Sequence, residues 1–236
     1  MKKIIFAMVF ALVCSAVFAD IKDDARKAMD VIGQSVVSAE AVLEVSYGYD
    51  GSSSTSEVKI REDATVVDDS GLLVVPISLV SAPDDEEVQS STLKSLKVRM
   101  ADGKQIDAEV AVKDTDLGIA VIKLKEASGV KAAVPAKGAK AEVFETMLRP
   151  ERLGSFADYA LAISFDTVIS VLKKPRTLYI FDKSDADYQG GSPIFTPEGK
   201  LFGVSVSMKM SGKDDYVLNC VLPVDDLLSL VEQAKQ

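Results

Sequence analysis

The chain changes its hydrophobic period early and changes it back only at the end. Over Asp20 to Gly33, apolar Ile21, Ala25, Ala28 and Ile32 share one face at helical spacing, with Asp20 as a start signal and Gly33 as a stop. From Ala39 the period is two. Ala39, Ala41, Leu43, Val45 and Tyr47 alternate with Ser38, Glu40, Glu44 and Ser46, the pattern of a half-buried strand. Residues 50–56 are rich in Asp, Gly and Ser and read as a loop before Val58 and Ile60 resume the alternation. Leu72 to Val75 is a buried run entered through the turn Asp69-Ser70-Gly71. Ser81 to Ser91 reads as a solvated loop. Leu96, Val98 and Met100, then Ile106, Ala108, Val110 and Val112, flank Asp102-Gly103 and predict a hairpin, followed by an apolar strand over Ile119 to Leu124.

Glu126 to Lys140 reads as a connector. Beyond it the predicted strands are 143–147, 159–165, 168–172, 177–181, 201–208 and 216–222. A closing helix follows Pro223. Asp225 and Asp226 stand at its positive end, and Val224, Leu228, Val231 and Ala234 mark its apolar face. The plan is therefore helix, six strands, connector, six strands, helix, with no repeat of fixed period. Many short strands in two blocks predict an all-β protein of two small antiparallel barrels or sandwiches. The segments divide as an N-terminal helix over 20–35, a first β unit over 36–130, a second over 131–223 and a C-terminal helix over 224–236.

The first nineteen residues lie outside this plan. Lys2 and Lys3 precede an uncharged run from Ile4 to Phe18, and Val17 and Ala19 occupy the −3 and −1 places before Asp20. Residues 1–19 thus read as a bacterial signal peptide, which implies the periplasm or the outside. A run of about fifteen residues is short for a bilayer span, which needs roughly twenty, and Leu12-Val13 before Cys14 lacks the small residues of a lipidation site. No membrane contact is expected once the signal is removed. Cys220, among Val217, Leu218, Val221 and Leu222, is expected to be buried.

Composition then removes whole classes of chemistry. The formal charge is −9, which argues against nucleic acid. The 236 residues contain no histidine, so no Ser-His-Asp or Cys-His mechanism and no His-ligated metal site can be built from them. Asp84-Asp85-Glu86-Glu87 lacks the alternate spacing of a calcium loop and reads as solvated. No helix directly follows the glycines at 190, 191 and 199, so they are turn glycines and not a phosphate cradle. No cofactor and no metal is expected.

Three blocks resemble a known family in order and spacing. Val67-Asp68-Asp69-Ser70-Gly71-Leu72-Leu73-Val74-Val75-Pro76-Ile77-Ser78-Leu79-Val80 resembles the D-G-Y-I-V-T-N-N-H-V-V block of HtrA/Deg-type trypsin-like serine proteases of the PA clan. Ala101-Asp102-Gly103-Lys104, with Lys113-Asp114-Thr115-Asp116-Leu117-Gly118-Ile119-Ala120-Val121-Ile122-Lys123, resembles its A-D-G and D-P-x-T-D-L-A-V-L-K blocks. Tyr188-Gln189-Gly190-Gly191-Ser192-Pro193-Ile194-Phe195, with Gly199 to Val204, resembles G-N-S-G-G-P-L-V and the strand after it. The match runs from about Ala28 to Ala234. It implies a pair of six-stranded β-barrels with a cleft between them. Read without gaps, Ser78 stands at the family's histidine, Gly118 at its aspartate and Gly190 at its nucleophilic serine.

The resemblance thus implies a degenerate, inactive homologue, a pseudo-protease with no catalytic residue. Asp116 and Ser192 lie close to the lost positions, but a serine hydroxyl needs a base to take its proton. The remnant oxyanion loop is Tyr188, Gln189, Gly191 and Ser192, and the bulk of Tyr188 is expected to distort it. What the family's architecture keeps is a surface along Leu201 to Met208 that adds a peptide as an extra strand. The partners expected are peptide or protein, either an envelope protease or an unfolded client, bound as scaffold, regulator or holdase. No PDZ domain is expected after the last helix. Two alternatives stand beside this. One is a hydrolase using Ser192 or Ser78 with a buried lysine as base. The other is a purely structural protein whose cleft has filled in.

Overall fold

The computed structural model describes residues 26–49, 52–82, 87–127, 129–174, 176–182, 190–210 and 216–235. The signal segment, the acidic residues 84–86, and Tyr188 and Gln189 lie outside the described residues. A first helix, α1, covers residues 26–35 and buries Ala28 and Ile32 as its spacing predicts. It runs through Gly33, so that glycine is not the stop. Ser35 closes the last turn by donating its hydroxyl to the Ile32 carbonyl at 3.2 Å.

The first barrel is closed in the order β1-β2-β3-β6-β5-β4. Its strands are β1 (Val36–Tyr49), β2 (Ser52–Asp68), β3 (Leu72–Pro76), β4 (Val88–Arg99), β5 (Gln105–Asp114) and β6 (Ile119–Leu124). The serine-rich stretch expected as a loop belongs to β2, where Ser52–Ser56 pair with Val45–Tyr49. Residues 52–57 are exposed, so backbone pairing, with one hydroxyl–hydroxyl hydrogen bond between Ser46 and Thr55 at 3.0 Å, makes this part a strand. Val88 to Ser91, expected in a solvated loop, likewise pair with β1. The hairpin at Asp102-Gly103 is present, with Gly103 at φ 84°.

The second barrel is closed in the order β10-β11-β12-β9-β8-β7. Its strands are β7 (Thr146–Arg152), β8 (Leu161–Leu172), β9 (Leu178–Phe181), β10 (Pro193–Phe195), β11 (Leu201–Met210) and β12 (Tyr216–Pro223). Three expectations are corrected here. The strand expected over 143–147 begins at Thr146 and runs on to Arg152. The two strands expected over 159–165 and 168–172 are one strand, β8, interrupted by a register shift between Val168 and Ser170. The sixth strand is β10, which the pattern did not show. Arg149 enters β7 as a buried residue because fully buried Asp166 on β8 pairs with its guanidinium. Together these elements form the double-barrel architecture of the trypsin-like fold, closed by helix α2 (Val224–Gln233). That helix buries Val224, Leu227, Leu230 and Val231, with Leu228 and Ala234 only partly covered.

Three apolar clusters hold the molecule. One lies wholly in the first barrel around Leu73, Val75, Ala120 and Ile122, and one wholly in the second around Tyr179, Phe181, Ile194 and Phe202. The largest joins the two barrels and both helices through residues such as Ile32, Leu72, Ile119, Leu148, Phe195, Val204, Leu222 and Leu227. The connector reinforces that joint. Ala133 donates to the Val66 carbonyl of β2 at 2.8 Å, and Leu201 of β11 donates to the Val134 carbonyl at 2.8 Å.

A polar tie also crosses the joint. The amide of Arg152 donates to the Asp63 carboxylate at 2.8 Å. Burial nevertheless raises the Asp63 carboxyl to about 6, against the lowering effect of that amide. Burial, then the charge of Asp63, raises neighbouring Glu62 to about 7. Both pKa values lie above those of the unfolded chain, so the folded protein holds more protons than the unfolded one across this window. The stabilisation is full below about pH 4 and lost as the pH rises through about 6 to 7. Urea unfolding at pH 5 should therefore give a stability about 1–2 kcal/mol above that at pH 8, after allowing for solvent screening. The double variant Glu62→Gln, Asp63→Asn should remove most of that difference.

Candidate functional site

Ser78, Gly118 and Gly190 are far apart in sequence, and the double barrel brings their backbones together. Ser78 sits in the 3-10 turn Ile77–Leu79 that follows β3, and it is exposed. Its neighbour Ile77 donates its amide to the Gly118 carbonyl at 2.9 Å. Gly118 ends the turn between β5 and β6 at φ 67°. Asp114 shapes that turn by accepting the Leu117 amide at 2.9 Å. Gly190 arrives from the second barrel, at the entry to β10. A Cβ at Gly190 would lie 2.8 Å from the same Gly118 carbonyl oxygen.

The next glycine is packed still harder. Gly191 has φ 83°, and a Cβ there would lie 2.6 Å from both the Val75 carbonyl carbon and the Pro76 nitrogen. Both limits matter. Left-handed backbone disfavours an L side chain, and the atoms in the way are main chain and cannot rotate aside. Where side chains would have to converge for proton transfer, this protein places main chain on main chain.

The rest of the loop is tied into β11. Gly191 donates its amide to the Ser205 carbonyl at 2.7 Å, and Ser205 donates its own to the Ser192 carbonyl at 2.8 Å. The Ser192 amide donates to Ser205 Oγ at 3.0 Å. The amides of Gly191 and Ser192 are thus used within the barrel. The question of distortion by Tyr188 falls on residues outside the described ones, as does Gln189. Asp116 is exposed on the β5–β6 turn.

No lysine among the described residues donates to Ser78 or Ser192. Lys113 does meet a serine, donating to Ser81 Oγ at 2.7 Å and to the Val80 carbonyl at 3.1 Å. That lysine is exposed, so it is not shielded from water as a serine-activating base must be. Cys220 is buried as expected, and burial pushes its thiol up to about 11. It therefore stays protonated near neutral pH and is not a nucleophile. Among the described residues, no group of three or more acidic or thiol side chains is placed to hold a metal ion.

Among the described residues, one strand edge at this junction is unpaired. β11 pairs with β10 as far as Val204, and the Ser205 contacts with the loop extend that edge by one residue. Over Val206–Met210 the described pairing is with β12 alone. Strand alternation turns the N–H and C=O groups of Ser207 and Lys209 to the side that Ser205 uses for the loop. Gly118 faces this edge, and even a Cβ on it would stand 3.7 Å from the Ser207 carbonyl oxygen.

No protein-family model matches the chain, and no curated protein is similar to it. The double barrel and the residues at its junction therefore carry the functional reading.

Gly190→Ser and Gly191→Ala should each destabilise the protein, by about 1–3 kcal/mol for the first and more for the second. Chemical denaturation would measure both. The triple variant Ser78→His, Gly118→Asp, Gly190→Ser should gain no peptidase activity, because a Cβ at residue 190 would press to 2.8 Å on the carbonyl oxygen of residue 118 and force the new serine out of position.

Proposed function

We propose that this is an exported, catalytically inactive trypsin-like domain of HtrA/Deg type that binds an extended peptide or unfolded protein along β11. In that role it serves as a scaffold, regulator or holdase in the bacterial envelope. One observation carries the reading: at the junction of the barrels, beside Gly118, the Ser207 and Lys209 peptide groups of β11 face no partner strand among the described residues. An extended chain gains affinity from such an edge through main-chain hydrogen bonds, and gains selectivity from the pockets beside it. None of this requires an imidazole.

The three motif blocks and the leader-like first nineteen residues support the HtrA/Deg kinship and the export. The absence of histidine supports inactivity, since the kindred mechanism has no base to use.

Purified protein incubated with unfolded casein should leave it uncut, and a fluorophosphonate should not label it. Turnover or labelling that disappears in Ser192→Ala or Ser78→Ala would overturn the proposal in favour of a serine–lysine hydrolase. Binding is tested separately with Lys209→Pro. This variant removes one edge N–H and spares the ladder to β12, because Lys209 and Val217 are not hydrogen-bonded to each other. It should weaken binding of unfolded casein at least tenfold at unchanged thermal stability.

A further inference from the structure

Two arginines stand against the Tyr159 ring. The guanidinium carbon of Arg99 is 4.6 Å from its ring centroid and that of Arg61 is 5.7 Å away. Arg152 donates to the Tyr159 carbonyl at 3.2 Å. The three arginines come from β2, β4 and β7, so both barrels contribute. Beside them is a cavity of about 350 Å³, lined by Ser38, Arg99, Asp102, Arg152, Asp158 and Tyr159 among others.

The hydrogen-bond acceptors of these guanidinium groups are neutral oxygens. Arg152 donates to the carbonyls of Val36, Gly33 and Tyr159. Arg99 donates to the Gly103 carbonyl at 3.2 Å, and its Nε is closed off from solvent without a hydrogen-bond partner. Arg61 donates to the carbonyls of Arg152 and Leu153 and to Ser38 Oγ. None of the three forms an ion pair with a carboxylate among the described residues. Guanidinium does not lose its charge in proteins, so three positive charges converge here in a chain whose net charge is −9.

Of the carboxylates nearby, Asp63 acts electrostatically on Arg61 and Arg152 without forming an ion pair with them, while Asp102 and Asp158 line the cavity itself. Glu40 accepts the Tyr159 hydroxyl at 3.2 Å, and Asp63 accepts the Arg152 amide. Asp102 accepts the Lys104 amide at 2.9 Å within its turn, and Asp158 is exposed.

The backbone here is also held against its preference. Asp158 and Tyr159 are consecutive non-glycine residues at φ 51° and 55°. Such conformations persist only where surrounding contacts impose them, and they collect at ligand clamps. Here they set the Tyr159 ring against Arg99 and its carbonyl against Arg152.

We propose that this cavity binds a small oxyanion, a carboxylate or a phosphate group, through Arg99 and Arg152. Each guanidinium has five N–H groups. Those not used on the carbonyls named above include N–H groups on the terminal nitrogens, in the flat fork that suits carboxylate and phosphate oxygens. Tyr159 fixes the plane of the Arg99 fork, and Ser38 adds a hydroxyl at the cavity wall. The site shares no residue with the β11 edge, so it stands or falls independently of peptide binding.

The test is titration of the full chain with inorganic phosphate and, separately, with succinate, at constant ionic strength and with chloride as control. Calorimetry and thermal shift are the readouts. Saturable binding of at least one of the two is expected, and the one that binds identifies the anion class. Arg99→Gln should weaken it at least tenfold. Should that variant fail to fold, Asp102→Asn keeps the turn acceptor, removes a rim negative charge and should tighten binding several-fold. Saturation by neither anion, undiminished binding in Arg99→Gln, or binding not tightened in Asp102→Asn would each overturn the proposal.

Discussion

The two barrels meet main chain to main chain. Gly190 lies on the carbonyl of Gly118, and Gly191 lies on the peptide between Val75 and Pro76, at approaches that no side chain survives. The hydrogen bond from Ile77 to Gly118 and the ties from Gly191 and Ser192 to Ser205 fix that contact from both sides. The shared apolar cluster of Ile119, Phe195, Val204 and Leu222 is built against it. Glycine at these positions is therefore a packing requirement and not merely a missing functional group.

Under the proposed function, the same contact is what separates catalysis from recognition. Proton transfer needs side chains pointing into a shared space, and here the space is filled by backbone. Strand addition needs only main-chain groups on an unpaired edge, and among the described residues those of Ser207 and Lys209 face no partner strand. The arginines around Tyr159 depend on the same docking of barrels, since Arg152 belongs to the second barrel while Arg61 and Arg99 belong to the first.

Much of the first barrel was legible in the sequence because its strands alternate cleanly. The exceptions, Ser52–Ser56 and Val88–Ser91, show no apolar alternation to reveal them and are strand through their pairing with β1. The second barrel was less legible, for local reasons. The register shift at Val168 to Ser170 breaks the period and makes one strand look like two. Phe165 and Ile169 are apolar yet exposed, while Arg149 and Asp166 are charged yet buried, so β7 and β8 invert the usual signal. β10 is three buried residues beginning with proline, too short to show any alternation. The junction of Ser78, Gly118 and Gly190 could be inferred from the order of three motif blocks. The arginine cluster could not, because positions 61, 99 and 152 converge only when both barrels are closed and docked.

Amide hydrogen exchange with an unfolded client, read residue by residue, tests the central claim most directly. With reduced, alkylated α-lactalbumin present, the amides of Ser207 and Lys209 should become protected while the client remains intact. Client fragments accumulating with those amides exchanging as freely as in the protein alone would contradict it.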